Sequence, residues 1–151
     1  MAVRYWEDFS PGEVIELGSR TITREAILAF AREFDPQVFH TDEEAARHTV
    51  FGGLIASGWH TGSLSMRLFY DGLIKNVVSL GSPGFDELRW VKPVRPGDTL
   101  STRFTVLDCV ASRSKPDRGV IRARLETRNQ DGDVVMSITA INLFGRRPPP
   151  A

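Results

Sequence analysis

The chain has no excess of charge of either sign, one cysteine and no long apolar segment. Its 151 residues contain nineteen basic and nineteen acidic side chains, so the basic surface that nucleic acids need is not predicted. The single cysteine, Cys109, excludes an internal disulfide and is typical of a reducing compartment. No apolar run approaches a membrane span, and the N-terminal residues lack the apolar core of a signal peptide. We therefore expect a cytoplasmic protein that binds neither nucleic acid nor membrane.

Motifs for metals, phosphates and serine nucleophiles are also missing. The histidines at positions 40, 48 and 60 are not spaced as zinc ligands, and no cysteine lies near them. Gly52-Gly53 lacks the Gly-Lys-Ser/Thr of a phosphate loop, and Ser57 does not lie in a nucleophile elbow. We expect no bound metal, and we interpret His48 and His60 as structural residues.

Length and composition are those of one globular domain. With 41% hydrophobic and 25% charged residues, the chain can bury a proper core, and it shows neither an internal repeat nor an interdomain linker. We assign residues 1–151 to a single domain, with 146–151 as a loose tail.

A strand and an amphipathic helix are predicted in the first third of the chain. Residues 14–21 are typical of a strand, and apolar residues at helical spacing predict a helix over 24–34 with Thr23 as its N-cap. Pro36 should stop this helix near Asp35, which leaves His40 in the loop beyond. A short helix over 42–47, capped by Thr41, is expected next.

The helix predicted from Gly58 to about Leu73 is apolar on more than one side and has a narrow, small-residue first half. Such a helix is expected to be buried, and we interpret Trp59, Met66 and Phe69 as core residues. Strands are predicted after it over 88–94, 100–106, 121–125 and 134–144, joined in part by hairpins. Cys109 falls in a strand pattern and is interpreted as a small core residue. Together these elements predict an α+β fold in which a curved antiparallel sheet wraps around the apolar helix.

Asp35 and His40 place a carboxylate and an imidazole five positions apart, shortly before the glycine-bracketed start of the buried helix. Such a pair can take a proton from water and return one. The helix N-terminus offers free N–H groups to an oxygen, and Gly58 would leave that backbone open. Gly53 either lets another backbone segment approach a ligand or simply makes a turn. An isolated aspartate at a helix end is usually a cap or turn residue, so the functional interpretation depends on the whole set.

Three segments in this order resemble the MaoC-like dehydratases and (R)-specific enoyl-CoA hydratases. They are Asp35-x4-His40, Phe51-Gly-Gly-Leu-Ile-Ala-Ser-Gly58 and Lys92-Pro-Val-Arg-Pro-Gly-Asp-Thr-Leu100. The resemblance runs from the first strand to Phe144 and implies a single hotdog fold. It also implies an acyl-CoA thioester as substrate, with no separate cofactor.

The resemblance assigns catalytic roles to Asp35 and His40 and the thioester-oxygen site to the backbone N–H of Gly58. The sequence departs from the family pattern near these residues, since Phe34 replaces the usual glycine before Asp35 and Pro36 follows Asp35 at once. Gln37 stands where an asparagine is usual, and Ser57 stands where many members have histidine. We place both with Gly53 among the candidate substrate-binding residues, and the departures leave the acyl-chain preference open.

The leading hypothesis is reversible hydration of a trans-2-enoyl thioester to the (R)-3-hydroxyacyl thioester. A hotdog thioesterase and a non-catalytic acyl-CoA-binding partner subunit remain alternatives, because the fold alone does not determine function. Arg89, Lys92 and Arg95 either meet the phosphates of coenzyme A or solvate a strand. One hotdog leaves strand edges uncovered, so a homodimer is expected, and the family pattern places the acyl-CoA tunnel at its interface.

Overall fold

A computed structural model describes residues 2–151, and over this range the strands form a five-stranded antiparallel sheet. The strand order is β1-β3-β4-β5-β2, with β1 and β2 at the two edges. The antiparallel pairing of β3 with β4 and of β4 with β5 confirms the predicted hairpins. The strands are β1 Val14–Thr21, β2 Gly84–Trp90, β3 Thr99–Ala111, β4 Arg118–Arg128 and β5 Val134–Gly145.

Four helices lie between β1 and β2. They are α1 Arg24–Phe34, α2 Val38–Thr41, α3 Glu43–Ala46 and α4 Gly58–Gly72, and single 3-10 turns precede β1 and follow α4. Helix α1 has the predicted bounds, because Thr23 Oγ1 accepts a hydrogen bond from the Ala26 N–H (3.1 Å) and Pro36 prevents continuation.

Two details of the segment after α1 were predicted wrongly. His40 lies in α2 and not in a loop, because the extended backbone of Gln37 allows a helical turn to restart immediately after Pro36. The next short helix is capped by Asp42 and not by Thr41, since Asp42 Oδ1 accepts from the Ala45 N–H at 2.9 Å. The Thr41 hydroxyl instead donates to the Gln37 carbonyl oxygen.

Helix α4 packs against β1 and β3, which confirms the predicted hotdog arrangement of a curved sheet around a central helix. Phe69 stacks on the fully buried Phe104, with ring centroids 5.3 Å apart. Gly72 lies so close to β1 that a Cβ there would come within 2.7 Å of the Leu17 backbone. The helix residues that are buried are Thr61, Leu64, Ser65, Leu68 and Phe69.

The assignment of Trp59 and Met66 to the core is wrong, whereas that of Phe69 is confirmed. Trp59 is 56% exposed and Met66 is 50% exposed. The side of α4 that carries Ser65 faces the sheet, where the Ser65 hydroxyl hydrogen-bonds to Thr127 Oγ1 of β4 at 2.7 Å. Leu64, Leu68 and Phe69 are buried with it, whereas Trp59 and Met66 lie on other parts of the helix surface.

Strand β2 ends at Trp90, four residues before the predicted end, and it begins at Gly84. Beyond Trp90 the segment Lys92-Pro-Val-Arg-Pro96 leaves the sheet, since its prolines cannot donate to a strand ladder. Cys109 lies in β3 as predicted and packs, half-buried, against the core.

The tail 146–151 has no regular secondary structure, but its first two residues are held in place. Arg146 and Arg147 form ion pairs with Glu7 and Asp8, so the prediction of a loose tail is wrong for these two positions. Across residues 2–151, no helix is both long and apolar enough to cross a bilayer.

Candidate active site

The carboxylate of Asp35 lies where the chain leaves α1. Its backbone N–H completes the last helical turn by donating to the Ala31 carbonyl oxygen at 2.8 Å. Its Oδ2 accepts a hydrogen bond from Ser57 Oγ at 2.7 Å, and its Oδ1 accepts one from Gln37 Nε2 at 2.7 Å. Two neutral donors therefore fix the orientation of this carboxylate.

The imidazole of His40 is buried beside this carboxylate. Its Nε2 lies 3.3 Å from Asp35 Oδ2, and its Nδ1 lies 2.7 Å from the carbonyl oxygen of Ile55. A carbonyl oxygen only accepts hydrogen bonds, so Nδ1 carries a proton, and Nε2 is the position that gains or loses one. The exchangeable proton of His40 therefore faces Asp35 and the cleft beside it.

The pKa of Asp35 lies below the ordinary value of an aspartate. Burial alone would raise this pKa, but the hydrogen bonds from Ser57 and Gln37 and the positive charge of protonated His40 together lower it. Asp35 is thus an ionised hydrogen-bond acceptor at neutral pH, next to a histidine that can exchange a proton.

The N-terminus of α4 lies beside Asp35 and His40. Ser57 is its N-cap residue, but the serine side chain makes no capping hydrogen bond, since its hydroxyl donates to Asp35. The first N–H groups of a helix have no partner within the helix. The positive end of the α4 dipole is therefore free of a side-chain cap next to the Asp35–His40 pair.

Gly58 is required for a reason that the sequence did not reveal. A Cβ at this position would come within 2.3 Å of the Trp90 indole, and Trp90 Nε1 donates to the Gly58 carbonyl oxygen at 3.0 Å. The missing side chain thus makes room for a tryptophan, and the contact joins residues 32 positions apart.

A cleft of about 530 Å³, which we call the catalytic cleft, connects these groups. It brings together Asp35, Gln37, His40 and Gly58, four of the six predicted site residues. Ser57 does not line the cleft, but its hydroxyl donates a hydrogen bond to Asp35. Gly53 lies outside the lining, next to the guanidinium of Arg95, which donates to the Phe51 carbonyl oxygen.

Of the three basic residues considered for coenzyme A binding, Arg89, Lys92 and Arg95, only Lys92 lines the catalytic cleft. Its ammonium group is paired with Asp133 at 2.5 Å. Arg95 supports the loop at Phe51, and Arg89 is exposed on β2 with one hydrogen bond, to the carbonyl oxygen of the preceding residue.

The remaining histidines, His48 and His60, do not line the catalytic cleft. His48 is exposed beside Glu44, and the ring of His60 stacks on Phe30, where burial lowers the pKa of His60. Within residues 2–151, no group of three or more His, Cys, Asp or Glu side chains could hold a metal ion.

The chain is similar to known proteins in both sequence and fold. Residues 8–129 match the family model described as a MaoC like domain. The MaoC-like dehydratase of Rhodospirillum rubrum is 43% identical, with a TM-score of 0.87 over 97% of this chain and 99% of that one. The uncharacterized protein YdeM of Bacillus subtilis (strain 168) is 35% identical over 82% of this chain and 86% of its own length.

A relative with a named reaction is the mesaconyl-CoA hydratase of Cereibacter sphaeroides. It is 31% identical over 90% of this chain, which corresponds to 39% of that protein's length. These matches support a hydratase in general terms. The chain belongs to the MaoC-like dehydratase family.

Proposed function

We propose that the protein is an acyl-CoA hydratase/dehydratase that interconverts a trans-2-enoyl thioester and the (R)-3-hydroxyacyl thioester. The observation that carries this proposal is the 3.3 Å approach of His40 Nε2 to Asp35 Oδ2 beside the uncapped start of α4. A proton-accepting pair and a site for developing negative charge then lie in one cleft, as addition of water to an enoyl thioester requires.

In this mechanism, Asp35 and His40 hold one water molecule between them. They remove a proton as the water oxygen bonds to C3, and the C2–C3 π electrons move onto the thioester oxygen as enolate charge. The N–H groups and the dipole of α4 stabilise that charge. The pair returns a proton at C2, so that the elements of water are added overall, and dehydration reverses each step.

Gln37 and Ser57 are positioning residues in this proposal. Each donates to one oxygen of Asp35, which keeps the carboxylate ionised and aimed at His40. The similarity to a mesaconyl-CoA hydratase supports a coenzyme A thioester as substrate. Of the three candidate cations, Lys92 is the one that lines the cleft, and it would have to exchange Asp133 for a coenzyme A phosphate.

A homodimer is part of the same proposal. Strand β2 is an edge of the sheet, and its Phe85 and Trp90 are exposed close to the exposed Trp59 of α4. An exposed edge with large apolar side chains is a natural surface for pairing with a second copy. A monomeric mass in solution at the concentration of the activity assay would contradict this part.

The test is the hydration of crotonyl-CoA, followed by the loss of enoyl absorbance and by chiral analysis of the product. Asp35→Asn and His40→Ala should each reduce turnover by about 100-fold or more, the scale of a lost general acid or base. His48→Ala is the matched control. It removes an exposed histidine that pairs with Glu44 and does not line the catalytic cleft.

Circular dichroism must show that each variant is folded. Folded Asp35 and His40 variants with wild-type turnover would refute the assignment. Release of free thiol from acyl-CoA, read with a thiol reagent, would favour a thioesterase. Tight enoyl-CoA binding without turnover would favour a non-catalytic partner subunit.

A further inference from the structure

A second cavity, of about 480 Å³, lies beyond the catalytic cleft between α4 and the sheet. We call it the apolar cavity because most of its walls are hydrocarbon, including Met66, Phe69, Leu88, Met136 and Ile138. It contains no acidic or basic side chain in its lining. Trp59 and Trp90 are the residues common to the linings of both spaces.

Three elements pass from one space to the other, and a tryptophan stands at the boundary on two of them, α4 and β2, while β5 passes it between Val135 and Met136. On α4, Gly58 lines the catalytic cleft and Met66 lines the apolar cavity, with Trp59 lining both. On the other side, Leu88 of β2 lines the apolar cavity, Val91 lines the catalytic cleft, and Trp90 lies between them. The boundary is therefore aromatic on the α4 side and the β2 side.

Trp90 is held firmly in this position. Its Nε1 donates to the Gly58 carbonyl oxygen at 3.0 Å, and its ring fills the space that a side chain at position 58 would need. Its ring meets Trp59 edge to face, with centroids 5.1 Å apart and an interplanar angle of 82°. This is a favoured geometry for two aromatic rings, so the pair forms a stable wall.

We propose that the Trp59–Trp90 pair determines substrate length by closing the apolar cavity to acyl chains bound at Asp35 and His40. This inference rests on the proposed function. A short acyl group fits within the catalytic cleft, whereas a longer chain must displace one of the indoles to reach the apolar cavity. Trp59 and Trp90 are therefore specificity-determining residues that favour short acyl thioesters.

The wall predicts how the binding affinity should depend on the length of the acyl chain. A methylene that passes from water into an apolar site strengthens binding about fourfold. With the wall in place, the additional methylenes of octanoyl-CoA stay out of the apolar cavity, and affinity should rise little above that of butyryl-CoA. Removal of one indole should open the cavity and restore the gain per methylene.

The experiment measures binding of butyryl-CoA and octanoyl-CoA by calorimetry. In Trp90→Ala and Trp59→Ala, the preference for octanoyl-CoA over butyryl-CoA should increase about tenfold or more over wild type, since several methylenes enter the cavity. Trp6→Ala is the matched control. Trp6 also donates from Nε1 to a backbone carbonyl oxygen and also covers a glycine, Gly119, but it lines neither space.

Two results would overturn the inference: a wild-type protein that already gains about fourfold per methylene, or folded variants of both tryptophans with an unchanged preference. Because Trp59 is the more exposed of the two, its variant keeps the test valid if Trp90→Ala does not fold.

Hydration of crotonyl-CoA and trans-2-octenoyl-CoA, measured in parallel, separates this inference from the proposed function. Saturated thioesters cannot be hydrated, so their binding reports the wall alone. The expected binding preference without any hydration would refute the proposed function and support the wall. Hydration with an unchanged preference would refute the wall, and the absence of both hydration and binding with all of these thioesters would refute both.

Discussion

Replacement of Ser57 by alanine tests how the carboxylate of Asp35 is kept ionised. Ser57 is fully buried, and its hydroxyl donates to Asp35 Oδ2 at 2.7 Å. A hydrogen bond to a charged group contributes about 1.5–3 kcal/mol, and one pKa unit corresponds to about 1.4 kcal/mol. Because Asp35 remains partly exposed and keeps its bond from Gln37, we take the lower limit, about 1.5 kcal/mol, for the lost bond, and we expect the pKa of Asp35 to rise.

The assay is the dependence of kcat/KM for crotonyl-CoA on pH, together with a titration of the Asp35 carboxyl carbon by nuclear magnetic resonance. Raising the pKa of Asp35 protonates the carboxylate at a higher pH. The acid limb of the activity profile should therefore move to higher pH in Ser57→Ala. Ser63→Ala is the control, since this hydroxyl on the same helix donates to the Trp59 carbonyl oxygen and does not touch Asp35.

The stability of Ser57→Ala distinguishes this role from helix capping. A carboxylate whose pKa is lowered by folding contributes stability above its unfolded pKa, and this contribution is lost as pH falls through the folded pKa. The deficit of Ser57→Ala should therefore be largest at neutral pH and shrink in acid. A deficit that is independent of pH would indicate a capping role, and an unchanged Asp35 titration would refute the reasoning.

Two further predictions concern packing around α4. Gly58→Ala should push the Trp90 indole off the helix, which would change tryptophan emission and lower the Tm, because overpacking costs about 1–3 kcal/mol. Gly62→Ala should leave the tryptophan emission and the Tm near wild type, since the nearest atom to its new Cβ is a methionine sulfur 3.9 Å away. The same emission and the same Tm in the two variants would contradict the packing of Trp90 on Gly58. Phe104→Ala should lower the free energy of unfolding by about 3–5 kcal/mol in denaturant titrations, because a fully buried ring is lost. A loss below about 1 kcal/mol, the size of a typical substitution, would contradict the place of Phe104 in the core.

Local signals in the sequence were sufficient for several elements. Thr23 and Pro36 gave α1 its correct bounds, because a cap and a proline act on backbone groups a few residues away. The same proline placed Asp35 at the helix exit. The sequence predicts a loop at His40, since a single turn such as α2 leaves too little periodicity to recognise.

The bounds of β2 and the orientation of α4 were not predictable in this way. A helix with apolar residues on several sides can turn any of them toward a sheet, and the choice depends on partners such as Thr127, distant in sequence. The exposure of Trp59 and Met66 follows from that choice.

The sequence by itself determined the identities and the order of the groups that we propose to react, since Asp35, His40 and the start of α4 are marked by short-range patterns. Only the tertiary structure decided how they are used. It turned Ser57 and Gln37 toward Asp35, set the Ile55 carbonyl oxygen on His40, and laid Trp90 across Gly58. Several of these contacts join residues far apart in the chain, so they depend on how the packed elements meet and not on any local preference.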